Sequence, residues 1–161
     1  KLGILYYFGK YVKQDFKKSI HYLKLAADQN DTEAQNLLGL AYCDANNPDN
    51  ELNKGIQYLT LAADQNNLNA QINLANIFRK IEKDYEKAIH YYTLAANQNH
   101  PYAQLELGNF YLEGIHIKKD INKAIHYFKL AANQNFPQAQ FNLGVLYIEG
   151  RFITKNINKI H

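Results

Sequence analysis

Apolar residues are spaced along this chain at the intervals of an amphipathic α-helix. In one block, Ile121, Ala124, Ile125, Phe128 and Ala132 follow the i, i+3, i+4 pattern that places side chains on one helix face. Similar blocks alternate with short polar stretches over the whole sequence. The pattern therefore predicts an all-α protein, built from a succession of helices that each bury one face.

Three phrases repeat along the chain at spacings of 33 or 36 residues. They are Leu-Gly-x-x-Tyr, acid-apolar-x-Lys-small-Ile and Leu-Ala-Ala-(Asp/Asn)-Gln-Asn. The single three-residue deletion always falls between Phe78 and Asp84, so we expect a loop there. Self-similarity at this period is the signature of a helical repeat protein. The third phrase begins at Leu25, Leu61, Leu94 and Leu130.

Each repeat is predicted to hold a helix A, a loop, a helix B and a short turn. We expect one solenoid domain over 1–161, with complete repeats flanked by partial ones. The repeats are 1–31, 32–67, 68–100, 101–136 and 137–161. Helix A is predicted at 1–8, 32–44, 68–80, 101–113 and 137–149. Helix B is predicted at 15–28, 51–64, 84–97 and 120–133.

Residues at the predicted helix ends support these bounds. Acceptor side chains precede helix B, where they can bind a free backbone N–H, and Asn follows it, where a left-handed residue ends a helix. Asn tolerates that conformation better than other non-Gly residues, so we expect Asn99→Gly to be neutral or mildly stabilising. The predicted N-cap residues are Asp15, Asp84, Asp120 and Asn156, and Glu51 holds the same place. The predicted stops are Asn30, Asn66, Asn99 and Asn135.

The aligned phrases resemble the Sel-one-like repeat family, a branch of the tetratricopeptide superfamily. The resemblance covers essentially the whole chain and implies a right-handed α/α superhelical solenoid of antiparallel helix pairs. Asn replaces the family's Gly after helix B, and Ile160 lies where a small residue is expected. The fourth repeat matches the family pattern through Ala103, Leu107, Gly108, Tyr111, Gly114, Asp120, Lys123, Ala124, Tyr127, Ala131 and Ala132.

Three columns of equivalent residues are assigned packing roles. Small residues in helix A let the two helices approach, and a Tyr column in helix B is expected to fill the space between them. A Gln column in helix A either links neighbouring repeats, which we favour, or binds an extended peptide. The columns are Gly3, Gly39, Gly108 and Gly144; Tyr22, Tyr58, Tyr91 and Tyr127; and Gln35, Gln71, Gln104 and Gln140.

Composition and charge exclude several function classes. The net charge of +3 is spread along the 161 residues, which argues against a nucleic-acid partner. No apolar run is long enough for a membrane span. The lone Cys43 excludes an internal disulfide framework and makes the cysteine-rich branch of the family a poor match. The chain begins at Lys1 rather than Met, so we expect further repeats or domains to flank it.

No residue cluster predicts catalysis, a metal site or a cofactor. Equivalent positions in neighbouring repeats lie at least about 8–10 Å apart, whereas metal ligands need to reach about 2 Å from one ion. The columns His21, His90, His126 and Asp44, Glu113, Glu149 are therefore assigned to solvated faces. The only Ser in the chain, Ser19, lies at a packing position without a catalytic partner.

The family resemblance implies that the A helices line a concave surface. An apolar and aromatic stripe on such a surface favours a non-catalytic scaffold that binds a protein or peptide. The alternatives are a structural spacer in a larger protein and, less favoured, an enzyme like the β-lactam-binding relatives of the cysteine-rich branch. The predicted partner-binding residues are Tyr7, Phe8, Leu40, Ile72, Asn76, Arg79, Tyr102, Leu105, Asn109, Leu112, Phe141, Val145 and Ile148.

Overall fold

The structure, a computed structural model, describes the backbone of residues 1–157 and the side chains of residues 1–150. Every regular element in this part of the chain is helical, which confirms the predicted all-α class. The helices are α1 (Leu2–Phe8), α2 (Phe16–Ala27), α3 (Thr32–Cys43), α4 (Leu52–Asp64), α5 (Leu68–Ile77), α6 (Tyr85–Asn97), α7 (Pro101–Glu113), α8 (Ile121–Ala132) and α9 (Pro137–Ile157). A π-helical turn, Phe78–Glu82, follows α5.

The chain forms two compact units, and the boundary between them in the sequence falls inside the third repeat. The first unit is Lys1–Lys83 and the second begins at Asp84. In the first unit each helix packs on the next, from α1 to α5, and in the second the same order runs from α6 to α9. The odd-numbered helices, α1 to α9, are the A helices. The even-numbered helices, α2 to α8, are the B helices. The expectation of one solenoid domain over 1–161 remains a prediction.

The predicted N-caps of three B helices are confirmed. The side chains of Asp15, Asp84 and Asp120 each accept a hydrogen bond from the backbone N–H three residues later, at 3.0–3.1 Å. Each bond satisfies one of the donors that a helix start leaves without an internal partner. Glu51 makes no such bond with its side chain, and instead pairs with Lys54 at 3.1 Å.

The Asn residues after the B helices are confirmed as left-handed stops. Their φ angles are 65° at Asn30, 62° at Asn66, 64° at Asn99 and 59° at Asn135. At Asn99 the backbone N–H donates to the carbonyl of Ala96 at 2.9 Å, and the next N–H donates to the carbonyl of Ala95. These two hydrogen bonds close the last turn of the helix.

The Asn99 side chain adds a contact that the sequence did not predict. Its Oδ1 accepts hydrogen bonds from Nε2 of Gln104 at 3.0 Å and from Nε2 of Gln134 at 3.2 Å. Gly keeps the left-handed backbone but removes this acceptor. The expectation that Asn99→Gly is neutral or mildly stabilising is therefore revised to a loss of about 1 kcal/mol.

Valine at position 99 loses the acceptor and also strains the backbone. We expect Asn99→Val to lower the free energy of unfolding by about 2 kcal/mol, about 1 kcal/mol more than Asn99→Gly. Urea unfolding of the two variants measures the cost of losing the acceptor and the additional cost of the strained backbone. Identical midpoints for the Gly and Val variants would show that backbone conformation does not matter at this stop.

The deletion between Phe78 and Asp84 shortens the connection without producing an open loop. The chain continues from α5 as a π-helical turn and then reverses at Lys83, whose φ is 57°. Asp84 caps α6 directly afterwards. The loop predicted between Phe78 and Asp84 is therefore wrong over most of its length, because the chain stays helical to Glu82 and turns only at Lys83.

Helix α9 differs from its prediction. It was expected to end at Glu149, with Asn156 as an N-cap, yet it continues through Gly150 to Ile157. In three other repeats the loop returns to helix A through a backbone bond, as where the N–H of Asp120 donates to the carbonyl of Tyr111 at 2.9 Å. No such return bond to α9 occurs within the described residues. Ile160 lies outside the described residues.

The predicted Tyr column does not fill the core. The fully buried column is the next residue of each helix B: Leu23, Leu59, Tyr92 and Phe128. A Cβ added to Gly108 would lie 2.4 Å from Phe128 Cε1, and one on Gly39 would lie 2.6 Å from Leu59 Cγ. The Gly column therefore does permit close approach, but against these residues.

The helix B Tyr rings instead stack on Tyr rings of helix A beside this core. Tyr42 and Tyr58 stack with centroids 5.9 Å apart, and Tyr111 and Tyr127 stack at 5.8 Å. A Lys of helix B covers the helix A ring, as Lys123 Nζ does 5.0 Å from the centroid of Tyr111. The second and fourth repeats thus each join their two helices through a buried apolar contact and a largely buried aromatic stack.

The Gln column links neighbouring repeats, as predicted. Gln35 Nε2 donates to Asn30 Oδ1 of the preceding repeat, and Gln35 Oε1 accepts from Gln65 Nε2 at 2.9 Å. In the second unit Gln104 bonds Asn99 and Gln134 in the same way. Gln35, Gln71 and Gln104 are buried, whereas Gln140 of α9 is exposed.

Candidate partner-binding surface

The A helices of each unit contact one another through polar side chains. In the first unit Asn73 Nδ2 of α5 donates to Asn36 Oδ1 of α3 at 2.9 Å. In the second, Asn142 Nδ2 of α9 donates to Asn109 Oδ1 of α7 at 3.2 Å. Adjacent A helices therefore lie side by side within a unit. We call their outward side chains the A-helix face, taken separately for each unit.

In the first unit the most exposed apolar side chain among the predicted partner-binding residues is that of Phe8. Phe8 is 63% exposed. Tyr7 is half-buried, and its hydroxyl donates to Asp44 Oδ2 at 3.4 Å. Burial, together with the nearby Asp44 carboxylate, raises the pKa of Tyr7 to about 12. The remaining predicted residues, Leu40, Ile72, Asn76 and Arg79, are half-buried.

The second unit exposes a larger apolar area on α9. Phe141 is 72% exposed and Ile148 is 56% exposed, with Val145 half-buried between them. Because these residues are spaced i, i+4, i+7, they share one side of the helix. We call Phe141, Val145 and Ile148 the α9 patch. It is the part of the predicted site that offers the most apolar surface.

The predicted residues of α7 are less accessible than expected. Leu105 is only 7% exposed and packs with Ala124 and Phe128, so it belongs to the core. Leu112 packs against the same cluster, and the ring of Tyr102 meets buried Tyr92 edge-on at 6.2 Å. The sequence register alone could not separate these positions from exposed ones, since neighbouring helices decide which side of α7 is covered.

The metal-ligating side chains of the described residues lie apart from one another. These residues contain no cluster of His, Cys, Asp and Glu that could hold a metal ion. Burial raises the pKa of the Cys43 thiol to about 11, so it stays neutral rather than nucleophilic at pH 7. His21, His90 and His126 are exposed on the B helices. Among the described helices, none combines the length and apolar character that crossing a bilayer requires.

His100 caps α7 through a neutral imidazole, which makes the second unit sensitive to acid. Its Nδ1 accepts from the N–H of Ala103 at 3.4 Å, and burial lowers its pKa. The unfolded chain therefore binds a proton at higher pH than the folded chain does. Stability is retained above the ordinary pKa of histidine, about 6.5, and falls as the pH drops below it.

We expect His100→Asn to weaken this acid sensitivity. Asn67 caps α5 from the equivalent position, so the variant keeps an acceptor that does not titrate. Its stability should therefore fall less than that of the wild type between pH 7.5 and pH 5.5. Melting temperatures of both proteins across this range measure the difference. A parallel pH dependence in the two proteins would show that another group titrates.

Comparison with known proteins identifies the repeats. A family model described as Sel1 repeat matches residues 1–31, 32–67, 68–100, 101–136 and 137–159. The chain belongs to the Sel1 repeat family. The first four matched segments have the bounds predicted for the repeats, and the fifth ends two residues earlier. A search of curated proteins finds no match.

Solved Sel1 structures are similar to this chain over most of its length. A Sel1 repeat protein from Oxalobacter formigenes is 34% identical with a TM-score of 0.80, and the alignment covers 92% of this chain and 62% of that one. A protective antigen with this fold from uropathogenic Escherichia coli is 28% identical with a TM-score of 0.79, covering 92% and 32%. The Sel1 chain described here thus spans less than two thirds of either relative.

A third similar structure marks a difference in cysteine use. Helicobacter pylori cysteine rich protein B is 28% identical with a TM-score of 0.61, and the alignment covers 84% of this chain and 99% of that one. In this chain the lone Cys43 is a free thiol. Sel1 repeat proteins are generally non-catalytic scaffolds for protein interactions, and this chain has that architecture.

Proposed function

We propose that this Sel1 repeat chain binds a protein partner through the A-helix face of its second unit, with the α9 patch as the main contact. A peptide or helix laid along α9 would bury Phe141, Val145 and Ile148. The proposal assigns no catalytic residue and no cofactor. The A-helix face of the first unit, around Phe8, is a secondary contact.

One observation carries the proposal, namely the exposure of the α9 patch. Large apolar side chains that lie together in water usually mark a partner site. A few aromatic and aliphatic anchors supply most of the binding energy of an interface, each about 2 kcal/mol or more when truncated. Phe141 and Ile148 have these properties and contribute little area to the core of the unit.

Truncation of the patch tests the proposal. We expect Phe141→Ala combined with Ile148→Ala to reduce partner recovery at least about tenfold, because two anchors are lost. The melting temperature should change little, since both side chains are exposed. Immobilised wild-type and variant chains are compared by quantitative mass spectrometry of the proteins that each one retains.

A matched variant controls for general damage. Ile121→Ala combined with His126→Ala also removes an aliphatic and an aromatic side chain of the second unit, both from exposed positions on α8. We expect this variant to retain the partner. Loss of the partner only in the α8 variant would place the binding surface on the B helices. If neither variant loses a partner, the spacer role becomes the better account.

A further inference from the structure

A cavity of the first unit lies between the loops that join helix A to helix B in its first two repeats. Loop 9–15, loop 44–51 and the first turn of α2 surround a volume of about 700 Å³ that is open to solvent. Pockets that hold ligands usually measure about 300–1,000 Å³. Both walls belong to consecutive repeats of the described chain, so the space does not correspond to the position of a further repeat. We call it the loop pocket.

Hydrogen bonds to α1 hold the first wall of the loop pocket in place. Helix α1 ends at Gly9, whose φ is 64°. On the other side of the loop, Gln14 Nε2 donates to the carbonyl of Tyr7 at 2.8 Å. The N–H of Asp15 donates to the carbonyl of Tyr6 at 3.0 Å. Loop 9–15 is therefore anchored to α1 at both of its ends.

A buried amide holds the second wall. Asn47 is only 1% exposed, and its Nδ2 donates to the carbonyl of Ala41 at 2.9 Å. Its Oδ1 accepts from the N–H of Asp49 at 3.1 Å. The loop then returns to α3, where the N–H of Glu51 donates to the carbonyl of Tyr42 at 2.9 Å. Because both walls are fixed in the free protein, a ligand does not have to order them on binding.

Part of the lining of the loop pocket is apolar. Tyr6, Val12, Phe16 and Pro48 all contribute to it. The ring of Phe16 is positioned by an edge-on contact with Tyr7, with centroids 6.0 Å apart. Val12 is exposed although its side chain is aliphatic. Covering apolar surface in a concave site is favourable, so the pocket suits a ligand that carries an aliphatic or aromatic group.

The charged side chains around the loop pocket are mainly cationic. Lys13, Lys17 and Lys18 line it together with two carboxylates. The Asp15 carboxylate already accepts from the N–H of Lys18 at 3.0 Å and lies 3.5 Å from its Nζ. Asp49 Oδ2 lies 3.9 Å from Lys17 Nζ, whose side chain is 83% exposed. No described carboxylate pairs with Lys13, so the pocket offers positive charge to an acidic ligand.

We propose that the loop pocket binds an extended acidic segment of a partner protein. An aliphatic or aromatic side chain of the segment covers Val12 and Phe16, and carboxylates on either side of it pair with Lys13 and Lys17. Because the pocket is open to solvent between the two loops, a chain can pass through it. This site belongs to the first unit and is additional to the α9 patch of the second.

Three synthetic peptides test the chemistry of the ligand. The probe is fluorescein-labelled Gly-Asp-Glu-Phe-Asp-Glu-Gly. One control peptide, Gly-Asn-Gln-Phe-Asn-Gln-Gly, lacks the charges, and the other, Gly-Asp-Glu-Gly-Asp-Glu-Gly, lacks the aromatic ring. We expect the full chain to bind the probe saturably, as measured by fluorescence anisotropy. Each control peptide should bind at least about tenfold more weakly, because charge and apolar contact both contribute.

Charge reversal locates the bound probe on the chain. We expect Lys13→Glu combined with Lys17→Glu to weaken binding at least about tenfold, because the attraction becomes repulsion. The matched control, Lys118→Glu combined with Lys119→Glu, changes the net charge equally at exposed positions of the second unit. It should bind the probe like the wild type. Circular dichroism of both variants verifies that they remain folded.

Two neighbouring substitutions test the apolar wall. Val12→Ala removes aliphatic surface from the loop pocket, and we expect probe binding to weaken about threefold. Tyr11→Ala removes a larger side chain that is 75% exposed and does not line the pocket. It should leave the affinity unchanged. A larger loss in the Tyr11 variant than in the Val12 variant would contradict the assigned position of the probe.

The other outcomes are equally decisive. A probe that does not bind at about 1 mM would overturn the inference, and so would equal losses in the two charge-reversal variants, which would indicate unspecific attraction. Vesicles of phosphatidylserine that bind the chain through Lys13 and Lys17, without binding of the probe, would assign these lysines to a membrane surface instead. The Phe141 and Ile148 double variant should bind the probe like the wild type, so failure of the proposed function leaves this result unchanged.

Discussion

Replacing Gly108 with Ala is expected to lower the free energy of unfolding by about 2–3 kcal/mol. The added Cβ would lie 2.4 Å from Cε1 and 2.5 Å from Cδ1 of Phe128. That ring is fully buried, so it cannot rotate into solvent to make room. Relief of the overlap requires α7 and α8 to separate, which is the cost of overpacking a core. Chemical denaturation measures the loss.

Gly144 provides the matched control for this substitution. It occupies the equivalent position in α9, where no described atom lies within 4 Å of an added Cβ. Gly144→Ala should therefore raise the free energy of unfolding by about 0.5–1 kcal/mol, the usual gain of Ala over Gly inside a helix. Opposite signs at the two positions are the expected result. Equal losses would mean that backbone flexibility, rather than the space above the glycine, determines the effect.

The damage caused by Gly108→Ala, or by the larger Gly108→Leu, should stay local. Repeat proteins are stabilised mainly by contacts between neighbours. We expect amide hydrogen exchange to rise most in α7 and α8, with smaller changes in α2 and α3 of the first unit. A uniform rise over the described helices would contradict this nearest-neighbour account.

The second large effect is expected at Gln104. Gln104→Met keeps the length of the side chain but removes the amide that joins Asn99, the carbonyl of Ala96 and Gln134. Three hydrogen bonds are lost. The buried carbonyl of Ala96 loses one that water does not readily replace, whereas exposed Asn99 keeps its bond from Gln134. We expect a loss of about 2–3 kcal/mol in the free energy of unfolding, measured by urea denaturation.

Gln140 serves as the control for this amide. Its side chain is exposed and its one described bond is to the carbonyl of Ala132 at 3.3 Å. Gln140→Met should change stability by less than about 0.5 kcal/mol, as is usual at a solvated position. A loss at Gln104 no larger than that at Gln140 would show that the Gln column does not stabilise the junctions between repeats.

Much of this fold could be predicted from the sequence, because the residues that begin and end most helices bond to backbone groups only a few residues away. The Asp15 cap and the Asn99 stop depend on backbone bonds within a few residues, so their residue types were sufficient evidence. The end of α9 was predicted wrongly because the end of a helix A depends on a contact between more distant residues. A helix A ends where its loop returns to pack, as at Asp120, and the sequence of α9 alone does not contain that contact.

The candidate site was harder to predict because accessibility depends on neighbouring helices. Leu105 and Phe141 occupy equivalent positions and are both apolar, yet one is buried by α8 and the other lies in solvent. The repeat register assigns them the same role. Likewise, the register placed the Tyr column in the core, whereas the adjacent column, which includes Phe128, occupies that space.

Photo-crosslinking at Phe141 tests the central claim that α9 is the partner-binding surface. A photoreactive p-benzoylphenylalanine replaces Phe141 in one protein and Ile121 of α8 in another, both at exposed positions of the second unit. Irradiation with the partner that the wild-type chain retains should produce a covalent adduct from position 141 and none from position 121. An adduct from position 121 alone would contradict the assignment of the binding surface to α9.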